Sequence, residues 1–75
     1  MSIAKLSVYE LSTLAQAGGG FTVSIAGKSA YELGLIAAAA ANGGARVTFT
    51  DVGRLSAYEL GTIAKAGKGL VAFVD

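Results

Sequence analysis

The segment Gly27-Lys28-Ser29 has the residue types that end a phosphate-binding loop, in which a lysine and glycine backbone amides hold phosphate groups. The complete pattern requires a glycine at position 22, where this sequence has Thr22. A basic residue also precedes the corresponding serines Ser7 and Ser56. The lysine therefore belongs to a repeated unit, and we expect no nucleotide or phosphate site.

Acid–base catalysis would have to rest on carboxylates, because the sequence contains no histidine and no cysteine. Because both residue types are absent, disulfides, thiol nucleophiles and Cys/His zinc sites are also excluded. Asp51 and Asp75 each follow a strand-like segment, and Glu10, Glu32 and Glu59 each occupy a helix-capping position. We therefore expect no enzyme, no metal, no cofactor and no small-molecule substrate.

Charged residues make up 15% of the chain, against about 25% in an average domain. The net charge is +1 and the basic residues are scattered, so neither a nucleic acid nor an anionic membrane is predicted as a partner. The longest apolar run, residues 35–41, is far shorter than the roughly 20 residues of a membrane span. Without a signal-peptide pattern at the start, we expect a soluble protein and favour the cytoplasm.

One five-residue motif occurs three times in the sequence and marks a repeated unit. Its copies are Ser7-Val8-Tyr9-Glu10-Leu11, Ser29-Ala30-Tyr31-Glu32-Leu33 and Ser56-Ala57-Tyr58-Glu59-Leu60. Ser-x-x-Glu before an apolar run is a capping box, in which serine and glutamate satisfy each other's backbone N–H groups. The motif therefore predicts three helix starts.

Each motif is followed by an alanine-rich stretch, a glycine cluster and a segment of alternating polarity. The alternating segments are Phe21 to Ile25, Arg46 to Thr50 and Leu70 to Val74. Apolar residues at i, i+3 and i+4 indicate a helix with one buried stripe, and glycine predicts a left-handed cap at its end. We predict a single α/β domain, residues 1–75, with units at about 1–25, 26–50 and 51–75.

Only one face of the predicted strands is strongly apolar. Phe21, Val23 and Ile25 point one way, and Thr22 and Ser24 point the other. A parallel sheet covered by helices on both sides would need two apolar faces. We therefore predict a short one-sided solenoid, a parallel sheet with right-handed crossovers and helices on one face.

Helices and strands prefer different spacings, since neighbouring strands lie about 4.8 Å apart and packed helices about 8–10 Å apart. Small residues at matching helix positions predict close helix approach: Ser12, Gly34 and Gly61. A tyrosine at the third position of each motif predicts a ladder that packs neighbouring units: Tyr9, Tyr31 and Tyr58.

The unit of one helix and one strand, repeated over nearly the whole chain, resembles the α/β solenoids, whose best-known members are leucine-rich repeats. The strand signature Leu-x-x-Leu-x-Leu-x-x-Asn is absent. The Ser-x-Tyr-Glu-Leu units are also similar to short bacterial Ala/Gly-rich repeat proteins of unknown function. The resemblance implies a repeat architecture and no particular activity.

The sequence stops at the phase of the repeat at which it starts, since residues 3–7 match residues 52–56. Repeat proteins usually carry polar terminal units, and sheet edges usually carry proline or charge, but residues 70–74 have neither. We predict head-to-tail self-assembly into a filament or ring through the first and last strands. The predicted interface consists of Ile3, Phe21, Val23, Leu70, Val71, Ala72, Phe73 and Val74.

Two other interpretations remain open at this point. The chain could be a monomer whose first strand or N-terminal segment folds over the open edge, or a small binding or inhibitor module. Such a module would use the polar sheet face formed by Thr22, Ser24, Thr48 and Thr50. The regularity of the units is also compatible with an engineered consensus repeat.

Overall fold

In the computed structural model, which describes residues 3–75 except the side chain of Ala4, helices and strands alternate along the chain. The elements are α1 (Val8–Gln16), β1 (Phe21–Ser24), α2 (Ala30–Gly43), β2 (Val47–Thr50), α3 (Ala57–Gly67) and β3 (Val71–Val74). Short 3-10 turns at Ile3–Lys5 and Val52–Arg54 precede α1 and α3. The mixed α/β class is confirmed; the first two residues of the predicted first unit lie outside the described residues.

All three predicted capping boxes are present. In α2, for example, the Ser29 N–H donates to the Glu32 Oε1 at 2.8 Å, and the Glu32 N–H donates to the Ser29 Oγ at 3.2 Å. The same pair of hydrogen bonds joins Ser7 to Glu10 and Ser56 to Glu59. Each helix therefore begins where the motif predicts it.

The prediction that a left-handed glycine past the end stops each helix is confirmed for α1 and α2 and is wrong for α3. Gly44 ends α2 in the left-handed conformation, with φ 72°. The cap of α1 is Ala17 in the right-handed conformation, and the left-handed residue is the following Gly18. The left-handed cap of α3 is Lys68, with φ 50°, although Gly67 and Gly69 flank it.

The three strands form one parallel sheet in the order β1-β2-β3. Phe21 is in register with Val47, and Val47 is in register with Val71. A parallel sheet was predicted, because each strand reaches the next through a helix. The middle strand is paired on both sides, and β1 and β3 are the edges.

Residues of alternate parity along the strands differ in burial, as the one-sided pattern predicts. Val23, Val47 and Phe49 are buried in the same cluster as the apolar residues of the helices. The Phe49 and Phe73 rings stack in this cluster, with their centroids 6.2 Å apart. The other face of the sheet, which includes Thr22, is exposed or half-buried.

The glycines that allow close packing are not the predicted ones. Among the described residues, a methyl group at Gly34 or Gly61 would meet no atom within 4 Å, so neither is a point of close helix approach there. A Cβ at Gly43 would instead lie 2.3 Å from the carbonyl oxygen of Ala15, and one at Gly67 would lie 2.4 Å from the Cγ2 of Val71. Close packing therefore occurs at the C-terminal ends of α2 and α3.

Candidate assembly surfaces

Equivalent positions in the three units follow from shared local structure. The turn before each helix is closed by the same backbone hydrogen bond, 2.9–3.1 Å long: Leu6 to Ile3, Lys28 to Ile25 and Leu55 to Val52. Each turn leads into a capping serine, and the strands are aligned by their register. The burial of a residue can therefore be compared with the burial of the equivalent residues in the other two units.

Helix positions that face the following unit are buried only where such a unit exists. Leu11 and Leu33 are fully buried, whereas the equivalent Leu60 of the third unit is only partly buried. The same holds one turn later for alanines: Ala15 and Ala37 are fully buried and Ala64 is partly buried. We call the half-covered surface formed by Leu60, Ala64, Val71 and Phe73 the trailing end.

Positions that face the preceding unit show the opposite pattern. Ile36 and Ile63 are buried, whereas the equivalent Leu14 of the first unit is half-buried. In the turns, Ile25 and Val52 are buried, whereas the equivalent Ile3 is half-buried. We call the surface formed by Ile3, Leu14 and Phe21 the leading end.

The backbone of β1 bonds to β2 through alternate residues. The Phe21 N–H donates to the Arg46 carbonyl at 3.2 Å, so the odd-numbered residues of β1 bond to β2. Thr22 and Ser24 therefore direct their backbone groups away from the sheet. The first 3-10 turn contacts β1, but within residues 3–75 no backbone hydrogen bond joins the two. Among the described residues, then, nothing pairs with the outer backbone groups of β1.

In β3 the even-numbered residues are the ones whose backbone groups bond to β2. The Val47 N–H donates to the Leu70 carbonyl at 3.0 Å, which directs the even-numbered backbone groups toward β2. Val71 and Phe73 therefore direct their backbone groups outward. Among residues 3–75 no further strand pairs with β3, and its residues carry no charge.

The residues predicted to form the interface occupy three different environments. Phe21, Leu70, Val71 and Phe73 are half-buried at the sheet edges, as is Ile3 in the first turn. Val23 is buried in the core, so only its backbone belongs to an edge strand. Ala72 and Val74 are exposed on the outer face of the sheet, where Val74 keeps 51% of its surface. The structure thus separates edge residues from face residues.

The tyrosines do not form the predicted ladder within the chain. Tyr9, Tyr31 and Tyr58 are 76–83% exposed, and the stacked pair of rings found among residues 3–75 is Phe49 with Phe73. The tyrosines instead line two shallow apolar grooves on the helices, one between α1 and α2 and one between α2 and α3. The grooves have volumes of about 430 and 360 Å³ and share Leu35.

Polar contacts between units were missed by sequence reasoning. The Arg54 guanidinium in the turn before α3 donates to the Ile25 carbonyl at 3.2 Å and to the Lys28 carbonyl. At the ends of the strands, the Ser24 hydroxyl donates to the Asp51 carboxylate at 2.6 Å. The repeated basic residue before the capping serine was the available signal for the first of these contacts.

The described part of the chain contains no group of three or more potential metal ligands. In the same residues, no helix combines the length and apolarity that crossing a membrane would require. No protein-family model, curated protein or solved structure gives a significant match to the chain. The surfaces described above are therefore the basis for assigning a function.

Proposed function

We propose that this chain is a non-enzymatic structural protein that self-assembles head to tail. Its three units would form a short solenoid with the helices on one face of the sheet. The trailing end of one copy would pack against the leading end of the next. This contact is heterologous, so it gives a filament if the rotation between copies stays open and a ring if the rotation closes.

The observation that carries the proposal is the position-dependent burial of equivalent residues. Leu60 is less buried than Leu11 and Leu33, which each have a following helix beside them. Leu14 is less buried than Ile36 and Ile63, which each have a preceding helix beside them. A neighbouring copy would restore both kinds of contact with the same residue types. Burying apolar area is favourable by about 25 cal/mol per Å², so the parts of these side chains that remain exposed favour association.

The strand edges support the same arrangement. Val71 and Phe73 direct backbone groups outward from β3, and Thr22 and Ser24 do so from β1. Pairing β3 with β1 of a second copy, in the register already present between β2 and β3, would join donors to acceptors. Exposed edge strands that lack proline and charge are templates for such pairing.

Small size adds a reason for association. A domain of about 60 residues buries only about 60% of the surface of its unfolded chain and is marginally stable. This 75-residue chain has no cysteine to supply a disulfide, and its described residues offer no metal cluster. Oligomerisation is the remaining common supplement to a small core.

The test compares two identical substitutions, one at the trailing end and one in the middle unit. Leu60→Glu places a charge at the proposed contact, whereas Leu35→Glu places it on the outer surface of α2, where Leu35 is already 44% exposed. Size-exclusion chromatography with light scattering and negative-stain images would report assembly, and circular dichroism would report folding. We expect the wild type and Leu35→Glu to assemble and folded Leu60→Glu to stay monomeric. A wild type that is monomeric from micromolar to millimolar concentration would remove the proposal.

A further inference from the structure

Arg54 links two consecutive units through backbone carbonyls. Its guanidinium donates to Ile25 and Lys28, which both lie in the turn before α2, while Arg54 itself lies in the turn before α3. The contact therefore runs from the turn of one unit to the turn of the preceding unit. Charged donors make hydrogen bonds roughly twice as strong as neutral ones, so this contact helps to fix the position of one unit on the next.

Lys5 occupies the Arg54 position in the first unit. Both residues end a 3-10 turn, and both lie two residues before a capping serine. The equivalent residue in the second unit is Gly27, which has no side chain to donate. Lys5 is exposed, and the chain has no unit before it within residues 3–75 whose turn it could contact.

We propose that Lys5 is a binding residue for a second copy of this chain. Its ammonium donates to the carbonyls of Val52 and Leu55 of the preceding copy, which are the equivalents of the Ile25 and Lys28 acceptors. This inference rests on the proposed head-to-tail assembly and adds a polar contact to its apolar surface.

The acceptors in the third unit suit this contact. The Val52 carbonyl already accepts from the Leu55 N–H at 3.0 Å, as the Ile25 carbonyl accepts from the Lys28 N–H at 2.9 Å. A carbonyl oxygen has two lone pairs, so this turn hydrogen bond leaves one for a second donor. The Ile25 carbonyl uses its second lone pair for Arg54. The turn before α3 therefore offers Lys5 of another copy the arrangement that the turn before α2 offers Arg54.

The lysine also makes the junction between copies different from the junction within a copy. Arg54 reaches both carbonyls through one nitrogen, Nη2, which is held in the plane of a weakly hydrated guanidinium, whereas a lysine presents a compact and strongly hydrated ammonium on a flexible stem. The contact between copies should therefore be weaker than the internal Arg54 contact, and Lys5→Arg should strengthen it. This direction of change separates a specific contact from a general effect of positive charge, because Lys5→Arg leaves the charge unchanged.

The experiment measures the dissociation constant of the assembly by sedimentation equilibrium for the wild type, Lys5→Gln and Lys5→Arg. Arg46→Gln and Arg46→Lys are the matched controls, because Arg46 is exposed and lies before the middle strand, in neither end surface. We expect Lys5→Gln, whose uncharged amide donor reaches one bond less far than the ammonium, to raise the dissociation constant about tenfold, near the lower end for a hydrogen bond to a charged group, and Lys5→Arg to lower it. The Arg46 variants should match the wild type.

The outcomes distinguish this contact from the assembly itself. If Lys5→Gln and Arg46→Gln both assemble like the wild type while Leu60→Glu does not, the lysine contact is refuted and head-to-tail assembly stands. If Lys5→Arg weakens assembly as much as Lys5→Gln does, the hydrogen-bonding role is also refuted. A wild type that never assembles overturns both proposals. Because Lys5 is exposed, all of its variants should melt as the wild-type monomer does.

Discussion

Replacing Gly43 by alanine tests whether backbone contact holds the C-terminal ends of α1 and α2 together. The new Cβ would lie 2.3 Å from the Ala15 carbonyl oxygen and 2.4 Å from the Gln16 carbonyl oxygen. Both contacts are to backbone atoms, so no change of rotamer can relieve them. Gly43 does not have a positive φ, so alanine would be free of conformational strain there and the cost would be steric.

The size of the effect follows from two opposing terms. Overpacking costs about 1–3 kcal/mol, and two backbone contacts far below 3.0 Å place Gly43→Ala near the upper limit. Replacing glycine by alanine in a helix raises the free energy of unfolding by roughly 0.5–1 kcal/mol. The expected net loss is about 2 kcal/mol, out of a total of roughly 4–11 kcal/mol for a chain of this length. The melting temperature should fall by about 8–16 °C.

Gly34→Ala is the matched control in the same helix. A methyl group there meets no atom within 4 Å, so only the helix-propensity term remains and the variant should gain roughly 0.5–1 kcal/mol. Urea unfolding followed by far-UV circular dichroism would measure both variants. One low protein concentration should be used throughout, because association raises the apparent stability. A Gly43→Ala variant within about 0.5 kcal/mol of the wild type, which is the usual range for surface changes, would refute the packing argument.

Three further substitutions test local features by the same unfolding assay. Ser29→Ala removes the oxygen that accepts from the Glu32 N–H, and it should cost about 1 kcal/mol; an unchanged midpoint would show that the cap contributes nothing. Tyr31→Ala removes a ring that is 76% exposed, and it should change monomer stability by less than about 0.5 kcal/mol; a larger loss would show that the ring packs in solution. Lys68→Gly should stabilise the chain by about 1 kcal/mol, because Lys68 has φ 50° in a conformation that favours glycine; a lower melting temperature would contradict that backbone conformation.

The element order could be predicted because its signals are local. A capping box depends on residues three apart, and the three Ser-x-x-Glu motifs mark all three helix starts. Alternation along five residues was sufficient to locate the strands and their buried face. The parallel order then followed from the helices between the strands.

The roles of the glycines depend on neighbours that are distant in sequence. Gly34 interrupts a helix and therefore looked like a contact point, but it faces a groove, whereas Gly43 touches the backbone of α1. The spacing of apolar residues identifies the buried face of a helix, but it does not show at which point along the helix axis another helix comes closest. The cap at Lys68 was missed for a related reason, since three consecutive residues, Gly67 to Gly69, could each have supplied it.

The prediction of a tyrosine ladder was wrong because neighbouring helices are farther apart than interacting aromatic rings. Packed helices lie about 8–10 Å apart, whereas aromatic rings interact at centroid separations of about 4.5–7 Å. Rings that leave equivalent positions on neighbouring helices must therefore lean toward one another to touch. Tyr9, Tyr31 and Tyr58 point into solvent instead. The two aromatic residues that do stack, Phe49 and Phe73, lie on neighbouring strands, whose spacing is about half as large.

The leading and trailing ends have different residues, so a polymer built from them would have a direction. A copy with Leu60→Glu keeps Ile3 and Leu14 and would still join the trailing end of a growing chain, where no further copy could then add. A small fraction of such molecules would shorten the polymers formed by an excess of normal ones, as a dideoxynucleotide shortens DNA. A copy altered at the leading end would stop growth in the other direction.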